Sequence, residues 1–358
     1  MYSFPRWITN IGFLWITFYL YLVLRWAVLP TSRGFSILQS YIFIPIFAAT
    51  LIILLRDHED FNRVVHYVLI AIVALAILSV LDVLFGAQRA DPLGLNPNNL
   101  GLRFVVGLFL SGVLIEQTET RVRTGSYVIC ILILLLGLGA TGSREAYISF
   151  VSALIFYIVV NYNNISLRYI LSRTLVPVLV ALAGIIIIEP NLVTGSFGRV
   201  KALVTFIANP DAPVGAGSRS LSIRYSLLKT SIEMIQEKPL FGFGLGTFQE
   251  YTSTLNRFNQ PRGAHSTYLY VGSQTGLIGL LLLIAVFTSM LNTIRRGIFL
   301  ESSNILGEKK RMSLLGSIVI AGFVNAIAAD VVRWKIFWIG IALALAHYKI
   351  IEKNKSNS

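Results

Sequence analysis

Long apolar runs, broken by short polar and mostly basic interruptions, set the character of this chain. Runs near 8–30, 36–55, 67–87, 104–118, 126–141, 146–161, 174–190, 266–291, 314–332 and 336–350 each approach the roughly 20 residues that a helix needs to cross a bilayer. They are too long and continuous for barrel strands, and backbone polar groups in hydrocarbon must be satisfied within the segment. The pattern therefore predicts an all-α polytopic transmembrane bundle of about 10 helices. Residues 1–190 form an N-terminal helical block and residues 266–358 a C-terminal block with a tail.

The connection between the blocks, residues 191–265, breaks the rhythm because it contains no spanning run. Within it NPDAPVGAGS (Asn209–Ser218) reads as a turn-rich linker and RSLSIRYSLLKTSIEMIQEK (Arg219–Lys238) as an amphipathic helix. Leu221, Leu228, Ile232 and Ile235 recur at helical spacing and are expected against the membrane or the bundle. Pro239 ends that helix, and the glycine-rich FGFGLG (Phe241–Gly246) follows.

Composition agrees with the pattern: 55% hydrophobic and 13% charged residues exclude a soluble domain of this length. The net charge of +13 is a topology signal rather than a nucleic-acid signal. With the N-terminus inside, the short inner segments hold fifteen basic residues: Arg6, Arg56, Arg63, Arg121, Arg123, Arg168, Arg173, Arg295, Arg296, Lys309, Lys310, Arg311, Lys349, Lys353 and Lys355. The short outer loops hold six: Arg33, Arg89, Arg103, Arg144, Arg333 and Lys335. This bias places residues 191–265 outside, because basic residues are retained on the cytoplasmic side. No cleavable signal is apparent, since the first apolar run is long and aromatic. The lone Cys130 leaves no internal disulfide.

Ionisable groups within a bilayer are costly, so their positions point to function. Arg25, Asp82 and Asp330 are expected in spanning helices, in the outer third, and Arg144 reaches the same face. Partnering of Arg25 with an acid is the plain alternative for that residue. His265 stands where the long loop re-enters the membrane. Arginine is a rigid, permanently charged fork for phosphate oxygens, and histidine can take a proton near neutral pH. Together they suit the holding of a lipid-linked pyrophosphate while a hydroxyl attacks its sugar. Asp57, His58, Glu59 and Asp60 resemble a metal site by composition, but consecutive residues rarely converge, so no metal is expected.

Three motifs carry a resemblance. His265 and Ser266 are followed by nine residues and then Gly276-Leu-Ile-Gly279; Arg224 and Leu228 form Arg-x-x-x-Leu in the large loop, followed by PLFGFGLGTF (Pro239–Phe248); and Gly142-Ser143-Arg144 joins two helices. In these features, over about residues 130–290, the chain resembles the O-antigen ligase and polymerase family of bacterial envelope enzymes. Glu145 departs from that family's pattern, which usually has a small residue there. The resemblance implies a metal-independent glycosyltransferase of the inner membrane, without cofactor, facing the periplasm. Its donor would be an undecaprenyl-pyrophosphate-linked glycan and its acceptor a saccharide of the lipid A core or a growing glycan. It further implies that His265 activates the acceptor while Arg224 and Arg144 hold the diphosphate. Arg219 and Arg262 are secondary contacts, with lipid headgroups as the competing role. Gly242, Gly244 and Gly246 form either an anion-binding nest or a plain turn. Gly276 and Gly279 are read as packing glycines. Ligase and polymerase share these motifs; a lipid-linked sugar transporter or flippase is disfavoured because no related halves are evident.

Overall fold

The computed structural model describes residues 5–162, 219–255, 263–299 and 306–357. The expected seventh span (174–190), the linker at 209–218 and Arg262 lie outside the described residues. Eleven α-helices are described: α1 (Arg6–Val28), α2 (Ser32–Leu54), α3 (His58–Leu84), α4 (Pro97–Ile115), α5 (Arg121–Thr141), α6 (Arg144–Asn161), α7 (Arg219–Glu237), α8 (Thr247–Thr254), α9 (Thr267–Ile298), α10 (Leu306–Asn325) and α11 (Lys335–Asn357). Among the described residues there is no strand. Seven helices, α1 to α6 and α9, are long and apolar enough to cross a membrane. Their outward faces carry exposed Phe13, Leu24, Phe43 and Ile70, a surface that only hydrocarbon or another apolar partner accommodates.

The chain divides into two compact units that alternate along the sequence. One comprises residues 1–49, 199–293 and 326–338, and the other residues 50–198, 294–325 and 339–358.

In the second unit α4 is the most enclosed span, contacted by α3, α5, α6 and α10. Leu100, Leu102, Phe104, Leu110 and Leu114 are fully buried along it. Small residues set the helix spacing: a side chain at Gly101 would strike the Ala146 methyl at 2.5 Å, and one at Gly137 the Ala76 methyl at 2.7 Å. Lipid chains are as apolar as leucine, so close approach of backbones is what holds such helices together. Asn325 of α10 adds a buried hydrogen bond to Ser149 of α6, 3.1 Å long.

In the first unit the aromatic residues of α1 meet those of the 326–338 segment, with Trp15 edge-on to Trp338 at 4.9 Å. Trp338 in turn donates its indole N–H to the Val332 carbonyl at 2.7 Å. Asp330 is not in a spanning helix as the apolar run 314–332 suggests. α10 stops at Asn325, and Asp330 precedes a single 3-10 turn, Val331–Arg333. Past Asn325 the Ala326 and Ala329 carbonyls are taken by Thr267 of α9 rather than by a continuing helix, and Lys335 begins α11.

Candidate active site

His265 sits in a bend immediately before α9, and its backbone takes the left-handed conformation, φ 51°. For a residue other than glycine this costs about 1–3 kcal/mol and persists only where the surroundings impose it. Here the neighbours do so. Ala264, Ser266 and Thr267 are buried while His265 is exposed. The Ser266 hydroxyl accepts the Leu269 N–H at 3.4 Å, helping to cap α9. Thr267 is fastened on all sides: its N–H reaches the Ala326 and Ala329 carbonyls at 2.9 and 3.1 Å. Its hydroxyl donates to the Ala329 carbonyl at 2.9 Å and accepts the Val331 N–H at 3.0 Å. The chain is thus pinned next to a kink that leaves His265 exposed at the start of α9.

Those bonds bracket Asp330. Burial pushes its carboxyl up to about 6, with Arg333 partly offsetting the rise. The Asp330 backbone is thus held beside the start of α9, and in the sequence only the apolar run around it marked this residue.

α7 carries Arg224 on the border of two faces. Leu227, Thr230, Ser231 and Met234 form the buried face. Ile235, half-buried, faces Gly272 of α9, where an added side chain would meet its Cδ1 at 3.0 Å. Tyr225, Leu228 and Ile232 remain exposed, each 40–43%. Of the expected face, Ile235 is the part that packs on the bundle, while Leu228 and Ile232 are left to the membrane side. An apolar exposed stripe next to a half-buried arginine suits the boundary between acyl chains and headgroups. α7 and α9 touch through Ile235 and Gly272, so Arg224 and His265 are carried by helices packed on one another.

The glycine-rich segment after α7 braces α9 where that helix breaks. Gly276 interrupts α9 with φ 69° and ψ −171°, a combination open essentially to glycine alone. A side chain there would stand 2.2 Å from the Leu240 carbonyl oxygen. Across from it Gly242 has φ 64°, and a side chain would lie 2.4 Å from the Gln274 carbonyl carbon. The amides of this segment are spent on protein acceptors: Gly242 N–H on Lys238, Phe243 N–H on Ser273, and Gly244 N–H on Gln274 at 2.8 Å. Gly246 N–H goes to the Gln274 side chain. These bonds make Gly242, Gly244 and Gly246 part of a backbone brace against α9. Among the described residues Arg25 does not pair with an acid. It donates to the Gly242 carbonyl at 3.3 Å and lies over the Phe241 ring. Gly279 packs against Tyr21 of α1, whose hydroxyl donates to the Thr275 carbonyl at 2.6 Å.

Arg144 belongs to the other unit, where the Gly-Ser-Arg motif has a plain structural logic. Gly142 ends α5 in the left-handed conformation, φ 54°, and Ser143 caps α6 through the Ala146 N–H. Arg144 is then the first helical residue, half-buried. Its neighbour Glu145 is buried and accepts a hydrogen bond from Asn98 at 3.2 Å. Asn98 also accepts from Ser143 at 3.0 Å. Nearby, the Asp82 carboxylate accepts the Asp91 N–H at 2.8 Å, fastening the loop that follows α3. The side chain of Arg219, at the first position of α7, is outside the described residues.

The fold and these sites define a polytopic helical membrane protein with a polar centre at the start of a broken span. Residues 129–284 match the O-antigen ligase family. The matched stretch includes Arg144, Arg224, the brace, His265, Gly276 and Gly279, so each of the three motifs falls within it. This is a family of O-antigen ligase-like membrane glycosyltransferases. Comparison of the whole chain with curated proteins gives no match.

Proposed function

We propose that this protein transfers a glycan from an undecaprenyl-pyrophosphate carrier to an acceptor sugar hydroxyl on the periplasmic face of the inner membrane. The acceptor oxygen forms a bond to the anomeric carbon as that carbon's bond to the diphosphate breaks. The hydroxyl proton passes to the His265 imidazole, and the lipid diphosphate leaves. A neutral imidazole is a competent base for this step, and such positioned proton transfer typically contributes about 10²- to 10⁴-fold in rate. Arg224, and by its motif Arg144, supply fixed positive charge to the departing diphosphate. The observation that carries the reading is His265 itself: an exposed imidazole on a backbone strained by its buried neighbours, within the family-matched stretch.

The acceptor is read as the sugar end of a lipid A core, the ligase reaction. Extension of a second lipid-linked glycan would be the polymerase reaction, and the donor chemistry is the same for both. The test is transfer by purified protein given a lipid-pyrophosphate glycan and separate acceptors, in EDTA. Glycan on the lipid A core and released carrier diphosphate are expected. Product on a second lipid-linked glycan alone would make the protein a polymerase. Activity that vanishes in EDTA and returns with magnesium or manganese would show that a divalent ion, not arginine, holds the diphosphate.

A further inference from the structure

Three helices of the second unit bring His58, Glu308 and His347 together, although 250 residues separate the first two. His58 opens α3, Glu308 lies in the first turn of α10, and His347 is in α11. One nitrogen of each histidine and one carboxylate oxygen all fall within 4.8 Å of one another. His347 is fully buried. Its Nε2 stands 2.9 Å from Glu308 Oε2, yet neither atom has a hydrogen-bond partner among the described residues. With His58 alongside, the three side chains offer one donor atom each within reach of a shared point. His347 Nδ1 and His58 Nδ1 are likewise buried without a partner, a costly state for polar atoms.

The surroundings are those of a coordination site. Arg311 takes the other oxygen of Glu308, Oε1, at 2.8 Å and so orients the carboxylate from outside the cluster, as partners of metal ligands do. The Phe61 ring packs on His347 with centroids 4.9 Å apart, shutting off water on that side. Two imidazoles and a carboxylate suit a borderline first-row cation, above all zinc, in a tetrahedron. Bonds of about 2.0–2.2 Å require ligand atoms roughly 3–3.6 Å apart. Small side-chain rotations bring the present atoms to that spacing, and a water molecule completes the four. Consecutive Asp57, Glu59 and Asp60 contribute nothing; only His58 of that run takes part.

We propose that His58, Glu308 and His347 bind a divalent zinc ion that fastens the starts of α3 and α10 to the middle of α11. The site is structural, distinct from the glycan-transfer centre, and its zinc is exchangeable for cobalt. The test uses full-length protein purified without a polyhistidine tag. Metal analysis after zinc loading and desalting is expected to give one zinc per chain. Cobalt(II) should show the visible absorption of a tetrahedral site. His58→Gln and Glu308→Gln should each weaken zinc binding at least about tenfold. His58 is the decisive position, because its loss leaves the Glu308–His347 and Glu308–Arg311 contacts in place. Its variant should melt like the wild type without zinc and lose the rise in melting temperature that zinc confers. His66→Gln, in a histidine bonded to Tyr127 at 2.7 Å, should bind zinc normally. Failure of wild-type protein to retain zinc, or equal retention by the His58 and Glu308 variants, overturns the proposal and leaves a buried ion pair.

Discussion

A single residue, His265, concentrates the conflict between local preference and function. Its left-handed backbone is unfavourable, and buried Ala264, Ser266 and Thr267 impose it. Asp330 shows a second conflict nearby, a carboxyl that burial pushes up to about 6 from an ordinary 3.8. A carboxyl raised on folding favours the folded state fully only below its unfolded value. That contribution is lost as pH rises from about 4 through 6, beyond which it stays absent. Asp330→Asn removes the titration. Thermal melts in detergent at pH 4.5, 5.5 and 7.5 should therefore show the variant gaining on the wild type as pH rises. A difference independent of pH would place the carboxyl in water. The sequence marked both residues, His265 by its motif and Asp330 by its apolar surroundings. It did not reveal that the hydrogen bonds of Thr267 tie their segments together, since nothing in a run of residues encodes a contact 62 positions away.

At the scale of elements the spans were legible because hydrocarbon forces long apolar runs into helices. Observed ends fall within a few residues of the runs for α1, α2, α5, α6 and the start of α9. α7 ends one residue before Lys238, where Pro239 stops it. Its packed face was less legible: it has apolar residues on both sides, and packing selects Leu227 and Met234 over Leu228 and Ile232. The cluster of His58, Glu308 and His347 was invisible for a related reason, since its members approach only when three distant helices pack. The brace between FGFGLG and the break in α9 depends on backbones touching, so its glycines have no tolerant substitute. Gly276→Ala forces a side chain into the Leu240 carbonyl in a conformation alanine avoids, and should cost more than about 2 kcal/mol. Gly125, with open space around it in α5, is the control, and alanine there should be neutral or slightly stabilising. Equal melting temperatures for the two variants would mean that the brace does not hold α9.

For the whole molecule, the balance of basic residues in short loops predicts the orientation on which the proposed chemistry depends. Thr254, exposed at the end of α8, is then predicted to be extracytoplasmic. A Thr254→Cys substitution in a Cys130→Ala background should react with an impermeant maleimide on intact spheroplasts. Labelling only after lysis would invert the topology and remove the periplasmic donor. The central claim is that this membrane protein uses His265 as the base for glycan transfer. It is tested most directly by measuring transfer and donor affinity together in purified His265→Ala. The account predicts a rate lower by about 10²- to 10⁴-fold, donor affinity close to wild type, and an unchanged gel-filtration profile. Near-normal transfer by well-folded His265→Ala would contradict it.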